Sequence, residues 1–137
     1  MIRKYRNGDG LKVAVQKAQA DEAVEGAAYF DNVGKYSLVR SDGEVAAVFG
    51  YAGETGAVAD CYALIAGDIG GQLIEAVRFF RSEIPLVLER YGFTGVQMTV
   101  KKNFAAGARF ARMLGFDFAG ELPKFYNEND YQLFERI

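Results

Sequence analysis

The chain has 137 residues, half of them apolar, and a formal net charge of −2. This length is enough for one hydrophobic core, so a single domain over residues 1–137 is expected. The acidic balance excludes the basic surface that nucleic acids and anionic membranes attract, and we expect neither as a partner.

Histidine is absent, and Cys61 is the only cysteine. The absence of imidazole excludes triads that need it and removes the commonest metal ligand, so no metal site is predicted. A lone cysteine cannot form an intramolecular disulfide, which fits a reducing compartment. No apolar run approaches the roughly 20 residues that span a bilayer. We therefore expect a cytoplasmic protein, of a bacterium or of a phage-infected host.

The N-terminal third is predicted to hold one strand and two helices. The strand covers Ile2 to Tyr5. Asp9 is a plausible N-cap for the first helix. A second, shorter helix is predicted over Asp21 to Ala28. The apolar face of the first helix comprises Leu11, Ala14, Val15 and Ala18.

Three β-prone runs follow. Tyr36–Arg40 and Glu44–Phe49 flank the sequence Asp42-Gly43, which is a strong turn signal, so they are predicted to form a hairpin. Ala57–Ile65 is long and mostly apolar, as is typical of a central strand.

From Gly70 to Tyr91 apolar residues recur every three to four positions, which indicates an amphipathic helix. Pro85 lies inside this pattern. Because proline lacks an N–H and clashes with the preceding turn, we expect a kink or break near Arg81–Ile84. Ser82 is available to cap a second helical segment.

The rest of the chain predicts a strand over Val96–Val100, a helix over Asn103–Leu114, and two strands over Phe116–Leu122 and Tyr131–Arg136. Glu121 to Asp130 is expected to be mainly a solvated turn. The predicted order is β-α-α-β-β-β-α-β-α-β-β. It implies an α/β (α+β) fold with a mixed, mostly antiparallel sheet and helices on both faces.

This order and two segments resemble the GNAT superfamily of N-acetyltransferases. Ile69-Gly70-Gly71-Gln72-Leu73-Ile74-Glu75 looks like the glycine-containing start of the family's cofactor helix, and Leu114-Gly115-Phe116 looks like the end of a later helix. The strand Tyr131-Gln132-Leu133-Phe134 is also similar to that of small GNAT-like bacteriophage proteins, some of them virion components. The resemblance covers most of residues 36–137.

The resemblance implies acetyl-CoA as cofactor and a small-molecule or protein amine as acceptor. Small residues at the start of a helix let backbone amides face a diphosphate. Asp60 is then the expected base, and Tyr126 or Tyr131 is a proton donor if the last turn folds toward the cofactor groove. A solvent-facing aspartate and ordinary packing or surface tyrosines are the alternatives. The resemblance implies that the cofactor is bound by Leu64, Ile65, Gly67, Ile69, Gly70, Gly71, Gln72, Asn103 and Phe110.

Three positions depart from the family pattern. If Gly70 takes the final glycine position of the family's loop, Ile65 stands where an arginine or glutamine is expected and Asp68 where the middle glycine is expected. Aligning Gly67 with the middle glycine places Ile69 at the last position instead. Ala111 stands where the usual proton-donating tyrosine falls. A carboxylate beside a diphosphate is unfavourable unless it points away. These departures leave open a non-catalytic protein of the same fold, such as a phage interaction or virion-assembly component. A homodimer through sheet edges is also open.

Overall fold

The computed structural model describes residues 1–13 and 30–136. The strands are β1 (Ile2–Lys4), β2 (Gly34–Val39), β3 (Val45–Ala52), β4 (Val58–Ile65), β5 (Gly95–Lys101), β6 (Asp117–Tyr126) and β7 (Asn129–Arg136). The helices bounded within these ranges are α1 (Asp9–Lys12), α2 (Gln72–Tyr91) and α3 (Ala105–Met113). The helix predicted over Asp21 to Ala28, and Ala14, Val15 and Ala18 of the first helix, lie outside the described residues. None of the helices in the described ranges is both long and apolar enough to cross a membrane.

The strands form one seven-stranded sheet in the order β1-β2-β3-β4-β5-β7-β6. Neighbours β1/β2, β2/β3, β5/β7 and β6/β7 are antiparallel, whereas β4 and β5 are parallel. Helix α2 connects these two, as a parallel pair requires a crossover connection. The predicted mixed, mostly antiparallel sheet is confirmed.

The chain divides into two compact units, which we call the first and second units. The first consists of Met1–Ala52 and Cys61–Ala76, and the second of Gly53–Asp60 and Val77–Ile137. In the first unit β3 is buried along nearly its whole length, because small and apolar residues occupy both of its faces. The largest fully buried apolar side chains of this unit are Leu38, Val48, Phe49 and Leu64.

The core of the second unit is built mainly from one face of α2 and from the strands that follow it. Its largest fully buried side chains are Phe80, Ile84, Val96, Leu114, Phe116 and Phe134. Phe80 and Ile84 are four positions apart, as expected for the buried stripe of an amphipathic helix. The helical period read from the sequence is therefore confirmed for α2.

The predicted hairpin of β2 and β3 is confirmed. The N–H of Gly43 donates to the carbonyl of Arg40 at 2.9 Å, and the Asp42 carboxylate accepts the N–H of Glu44 at 2.9 Å. Gly43 has a φ of 89°, a conformation that glycine adopts at little cost. This turn fixes Arg40 at the end of β2, a position that matters for the candidate site.

The prediction for α1 was wrong in two respects. Gly8 precedes the helix, and Asp9 is its first residue rather than its N-cap. The Asp9 side chain is fully buried, and its carboxylate accepts hydrogen bonds from Arg3, from the N–H of Arg6 and from Ser37. Leu11, assigned to the buried face, is 73% exposed. Asp9 therefore ties α1 to β1 and β2.

Of the kink or break expected in α2, the break does not occur, because the helix is continuous from Gln72 to Tyr91 with Pro85 inside it. The kink stays a prediction. Proline at this position deprives the carbonyl of Arg81 of its helical partner. The guanidinium of Arg136 donates to that carbonyl at 3.1 Å. Ser82 starts no second segment, since its hydroxyl donates to the carbonyl of Phe79 at 2.8 Å. A long-range hydrogen bond thus replaces the one that proline removes.

The final hairpin also differs from the prediction. Strands β6 and β7 continue through most of the segment expected to be a solvated turn, and only Asn127 and Glu128 connect the paired residues Tyr126 and Asn129. Pro123 lies in the irregular stretch of the β6–β7 pairing between Leu122 and Tyr126, and β6 is an edge strand; both are places where a sheet tolerates proline. The chain therefore ends in a long, narrow hairpin.

Candidate functional site

The candidate site is the turn that joins β4 to α2 in the first unit. It begins where the N–H of Ala66 donates to the carbonyl of Ala46 at 2.8 Å, and it bends where the N–H of Ile69 donates to the carbonyl of Ala66 at 3.2 Å. Leu64 and Ile69 are buried, with exposures of 1% and 8%. The side chains of these two residues, both predicted to bind the cofactor, anchor the turn in the core.

Two exposed glycines form the end of this turn. Gly70 has a φ of 57°, which disfavours other residues, and a side chain at Gly71 would meet no heavy atom within 4 Å. Their carbonyls accept the first helical hydrogen bonds, from the N–H groups of Leu73 and Ile74. Neither glycine N–H donates a hydrogen bond to another described residue. The sequence Gly-Gly therefore leaves open N–H groups at the positive end of α2.

Arg40 lies against this turn. Its Nη1 and Nη2 donate to the two carboxylate oxygens of Asp68 at 3.2 and 2.7 Å, and its Nε donates to Oε1 of Gln72 at 3.2 Å. The Arg40 side chain is 20% exposed, whereas that of Asp68 is 75% exposed. A single guanidinium thus bonds one residue of the turn and the first residue of α2.

The ion pair changes the electrostatics of the turn. The hydrogen bonds from Arg40, followed by its positive charge, lower the pKa of Asp68, so the carboxylate is ionised and paired at neutral pH. The pKa of Arg40 is raised, first by its hydrogen bonds to Asp68. Glu44 adds a weaker contact to Arg40 at 4.0 Å. The repulsion expected between Asp68 and a diphosphate is therefore offset locally by an arginine.

The residues of the turn fit a diphosphate group on three observations. The N–H groups of Gly70 and Gly71 are open, the helix behind them is 20 residues long, and the carboxylate of Asp68 is paired. Anions are stabilised at such helix starts by the N–H groups and the helix dipole. Ile65 is the last residue of β4, Gly67 belongs to the turn, and Gln72 begins the helix. The cofactor site read from the sequence stays a prediction.

Asp60, the predicted base, lies on β4 within the second unit. Its Oδ1 accepts a hydrogen bond from Nε2 of Gln97 on β5 at 2.8 Å. The three residue pairs of the β4–β5 ladder are Val58 with Gly95, Ala59 with Val96, and Asp60 with Gln97. Along these two described strands pairing ends at Asp60, although β4 continues to Ile65. The residue is therefore partly buried at the last rung of a short ladder.

The strand register does not bring Tyr126 to Asp60. Asp60 pairs with Gln97, Gln97 pairs with Glu135, and Tyr126 pairs with Asn129. Six positions of β7 separate Glu135 from Asn129, which corresponds to about 20 Å along the strand. The two residues predicted to be base and acid therefore lie too far apart to act on the same group.

Two further predicted contacts differ in their exposure. Asn103 is exposed, has a φ of 68° and lines a polar depression of about 270 Å³. Phe110, by contrast, is only 4% exposed and belongs to the core. Ala111 is fully buried. The depression is lined by Lys101, Lys102, Asn103, Glu128, Asn129 and Asp130. Phe110 therefore presents almost no surface to a ligand.

Arg40 is the residue of the site that the sequence analysis missed. Its only signal was its position directly before the Ser41-Asp42-Gly43 turn, which gives no indication of a partner 28 residues away. Among the described residues, no cluster of His, Cys, Asp and Glu is arranged to hold a metal ion.

Comparison with known proteins supports the fold. No protein-family model matches the chain, and no curated protein matches it in sequence. Among solved structures, Ard1 from Thermoplasma volcanium has a TM-score of 0.75 at 14% identity, covering 100% of this chain and 96% of that one.

Two further solved structures have the same arrangement. An acetyltransferase of the GNAT family from Bacillus anthracis has a TM-score of 0.71 at 11% identity, covering 99% of this chain and 93% of that one. The ribosomal-protein-S5-alanine acetyltransferase from Vibrio fischeri has a TM-score of 0.69 at 14% identity, with coverages of 99% and 91%. At these identities the likeness is one of fold. The GNAT-type fold predicted from the sequence is confirmed, while the likeness to bacteriophage proteins stays a prediction.

Proposed function

We propose that this protein is an N-acetyltransferase that transfers an acetyl group from acetyl-CoA to an amine. The observation that carries the proposal is the open turn before α2, in a fold shared with acetyltransferases. Gly70 and Gly71 offer two N–H groups there that bond no other described residue, and Arg40 neutralises Asp68 beside them. This is the arrangement that a diphosphate-containing cofactor needs.

In this proposal Gly70, Gly71 and Gln72 hold the diphosphate of the cofactor. The N–H groups of the two glycines donate to phosphate oxygens, and the dipole of α2 stabilises their negative charge. Bound acetyl-CoA would supply a thioester, whose acetyl group an unprotonated amine can take: a C–N bond would form, the C–S bond would break, and CoA would leave as the thiol with the proton that the amine loses. The protein's own contribution at this turn is binding and orientation, which lower the barrier by holding the reacting groups together.

Asp60 is the proposed base that removes a proton from the acceptor ammonium. Gln97 holds its Oδ1, which fixes the carboxylate plane and leaves Oδ2 to accept a proton. General bases of this kind contribute about 10²- to 10⁴-fold to rate. Asp60→Asn should therefore lower kcat within this range while leaving acetyl-CoA affinity unchanged, as steady-state kinetics and calorimetry would show.

The proposal is tested first by calorimetric titration with acetyl-CoA. A side chain at Gly71 would meet no heavy atom within 4 Å, so Gly71→Leu should be tolerated by the fold, and its bulk beside the proposed diphosphate should abolish binding. Gly120→Leu on β6 is the matched control, because a side chain there also meets no heavy atom within 4 Å. Absence of binding by the unmodified protein at about 1 mM acetyl-CoA would refute the proposal.

A second candidate function is cofactor binding or macromolecular interaction without catalysis. The specific observation in its favour is Ala111, which takes the place of the family's proton-donating tyrosine and is fully buried. An interaction or virion-assembly component would keep the fold while lacking transfer activity. Incubation with acetyl-CoA and a panel of amines, followed by mass spectrometry, separates the two. Binding without acetylated product in the whole panel would favour the second candidate.

A further inference from the structure

We propose that Arg40 is a positioning residue for the cofactor turn, and that it acts by cancelling the charge of Asp68 next to the bound diphosphate. The inference rests on the proposed function, since it concerns the same turn. It assigns a role to a residue outside the glycine-containing segment, on the β2–β3 hairpin.

The first step of the argument is the fixed position of Arg40. Its N–H donates to the carbonyl of Glu44 at 2.8 Å, and its own carbonyl accepts the N–H of Gly43 at 2.9 Å. The tight hairpin turn therefore holds the backbone, and the side chain is only 20% exposed. A guanidinium held in this way needs little further ordering to bond its partners.

The second step concerns how its donors are used. Nη1 and Nη2 both bond Asp68, and Nε bonds Gln72, so each guanidinium nitrogen has a partner in the turn or at the start of α2. A bidentate pair of this geometry fixes the orientation of the carboxylate. The guanidinium of Arg40 therefore bonds Asp68 and the first residue of α2, and none of its nitrogens is left without a partner to bind phosphate.

The third step is the charge balance. Without Arg40, Asp68 would place an unpaired, 75% exposed carboxylate two residues before Gly70, where the diphosphate is proposed to bind. Glu44, at 4.0 Å from the guanidinium, would add to the negative potential. Like charges repel even in water, and the repulsion weakens as the salt concentration rises. Arg40 thus makes a turn that contains an aspartate compatible with an anionic cofactor.

The test is a titration of four proteins with acetyl-CoA at low ionic strength: the unmodified chain, Arg40→Met, Asp68→Asn and the double variant. Charge cancellation predicts affinity about fivefold weaker for Arg40→Met and about threefold tighter for Asp68→Asn. The double variant restores the net charge of the turn, so its affinity should lie within about twofold of the unmodified protein. Arg90→Met and Asp117→Asn are charge-matched controls and should change nothing.

Two other patterns would overturn the inference. If Arg40 only tethers the turn, the double variant stays as weak as Arg40→Met, because the tether is lost in both. If Arg40 binds phosphate directly, Asp68→Asn tightens binding but the double variant remains weak. Pantetheine, which lacks the phosphates, should bind all four proteins equally; unequal binding would also count against charge cancellation.

The outcome is separable from that of the proposed function. Failure of the unmodified protein to bind acetyl-CoA removes both proposals. Binding by the unmodified protein together with one of the contradicting patterns removes only the role of Arg40. Raising the salt concentration to about 0.5 M should shrink the differences among the four proteins, because exposed charges are then screened.

Discussion

The first unit contains two arginine–aspartate pairs with the same geometry and opposite surroundings. Arg3 bonds both oxygens of Asp9 at 2.6 and 3.2 Å, and Arg40 bonds both oxygens of Asp68 at 2.7 and 3.2 Å. Asp9 is fully buried, whereas the Asp68 side chain is 75% exposed. Burial, and not the bond lengths, therefore decides what each pair does.

The buried pair is a structural cluster. Besides Arg3, the carboxylate of Asp9 accepts the N–H of Arg6 at 2.9 Å and the hydroxyl of Ser37 at 2.7 Å. These donors compensate the loss of solvation that a buried charge suffers. In the second pair the carboxylate of Asp68 retains most of its solvation and is screened by salt, so the pair changes local potential far more than stability. Four predictions test this contrast.

The largest effect is expected for Asp9→Ala. The substitution leaves the guanidinium of Arg3 and the buried hydroxyl of Ser37 without their partner, which should lower the free energy of unfolding by about 3–5 kcal/mol. Urea denaturation followed by circular dichroism measures the loss. Asp117→Ala, which removes an exposed carboxylate from β6, is the control. A cost below about 1 kcal/mol would show that the cluster is not stabilising.

Lowering the pH should reveal the contribution of the Asp9 cluster to stability. Burial by itself raises the pKa of Asp9, but the hydrogen bonds from Arg3, Arg6 and Ser37 outweigh burial and lower it from 3.8 to about 2. A carboxyl group whose pKa is lower in the folded state than in the unfolded state stabilises the fold at pH values above its unfolded pKa. This contribution is lost as the pH falls through the folded-state pKa. About 2 kcal/mol should therefore disappear between roughly pH 5 and pH 2.

The measurement is the urea midpoint as a function of pH, compared with that of Asp9→Asn. The variant lacks this carboxyl group, so its midpoint should fall less over the same range. Parallel curves for the two proteins would mean that Asp9 titrates equally in the folded and unfolded states.

A third arginine gives an intermediate case, because its partners are carbonyl groups. Arg136 donates to the carbonyl of Arg81, which Pro85 leaves without a helical partner, and to the carbonyl of Leu114 at 3.0 Å. Burial, and then the nearby charge of Arg81, lower the pKa of Arg136. Arg136→Met should cost about 1–2 kcal/mol, and Arg109→Met, on the exposed face of α3, should cost much less.

A double-mutant cycle with Pro85→Ala sharpens this prediction. Alanine restores an N–H that can bond the carbonyl of Arg81, so Arg136→Met should cost about half as much in that background. Equal costs in both backgrounds would show that Arg136 does not compensate for the proline.

These cases also show what could be predicted from the sequence. Periodicity and turn residues were enough to place β1 to β5 and α2 within a few residues, since local patterns determine them. The break at Pro85 was wrongly predicted because Arg136, which bonds the freed carbonyl, is 55 residues away. Asp9 was taken for an N-cap because its partners Arg3 and Ser37 are brought together only by the fold.

The residues of the candidate site also divide into those that local sequence patterns predict and those that they do not. Gly70, Gly71 and Gln72 could be predicted because a helix start has a local signature. Arg40 could not, since its pair with Asp68 joins a hairpin to a turn. The pairing of Asp60 with Gln97 and the separation of Asp60 from Tyr126 likewise depend on strand register across β4, β5, β7 and β6. Local patterns do not determine register between distant strands.

The smallest effect on stability is expected at the exposed pair. Arg40→Met and Asp68→Asn should leave the urea midpoint unchanged within error, because Asp68 is already largely solvated and loses little when its partner is removed. The same two variants should nevertheless move acetyl-CoA affinity in opposite directions, since the proposed ligand is sensitive to the potential at the turn. A shift of the midpoint comparable to that of Arg136→Met would place Arg40 with Asp9 as a structural residue. In that case the rigidity of the turn, and not its charge, would be what Arg40 provides to the cofactor.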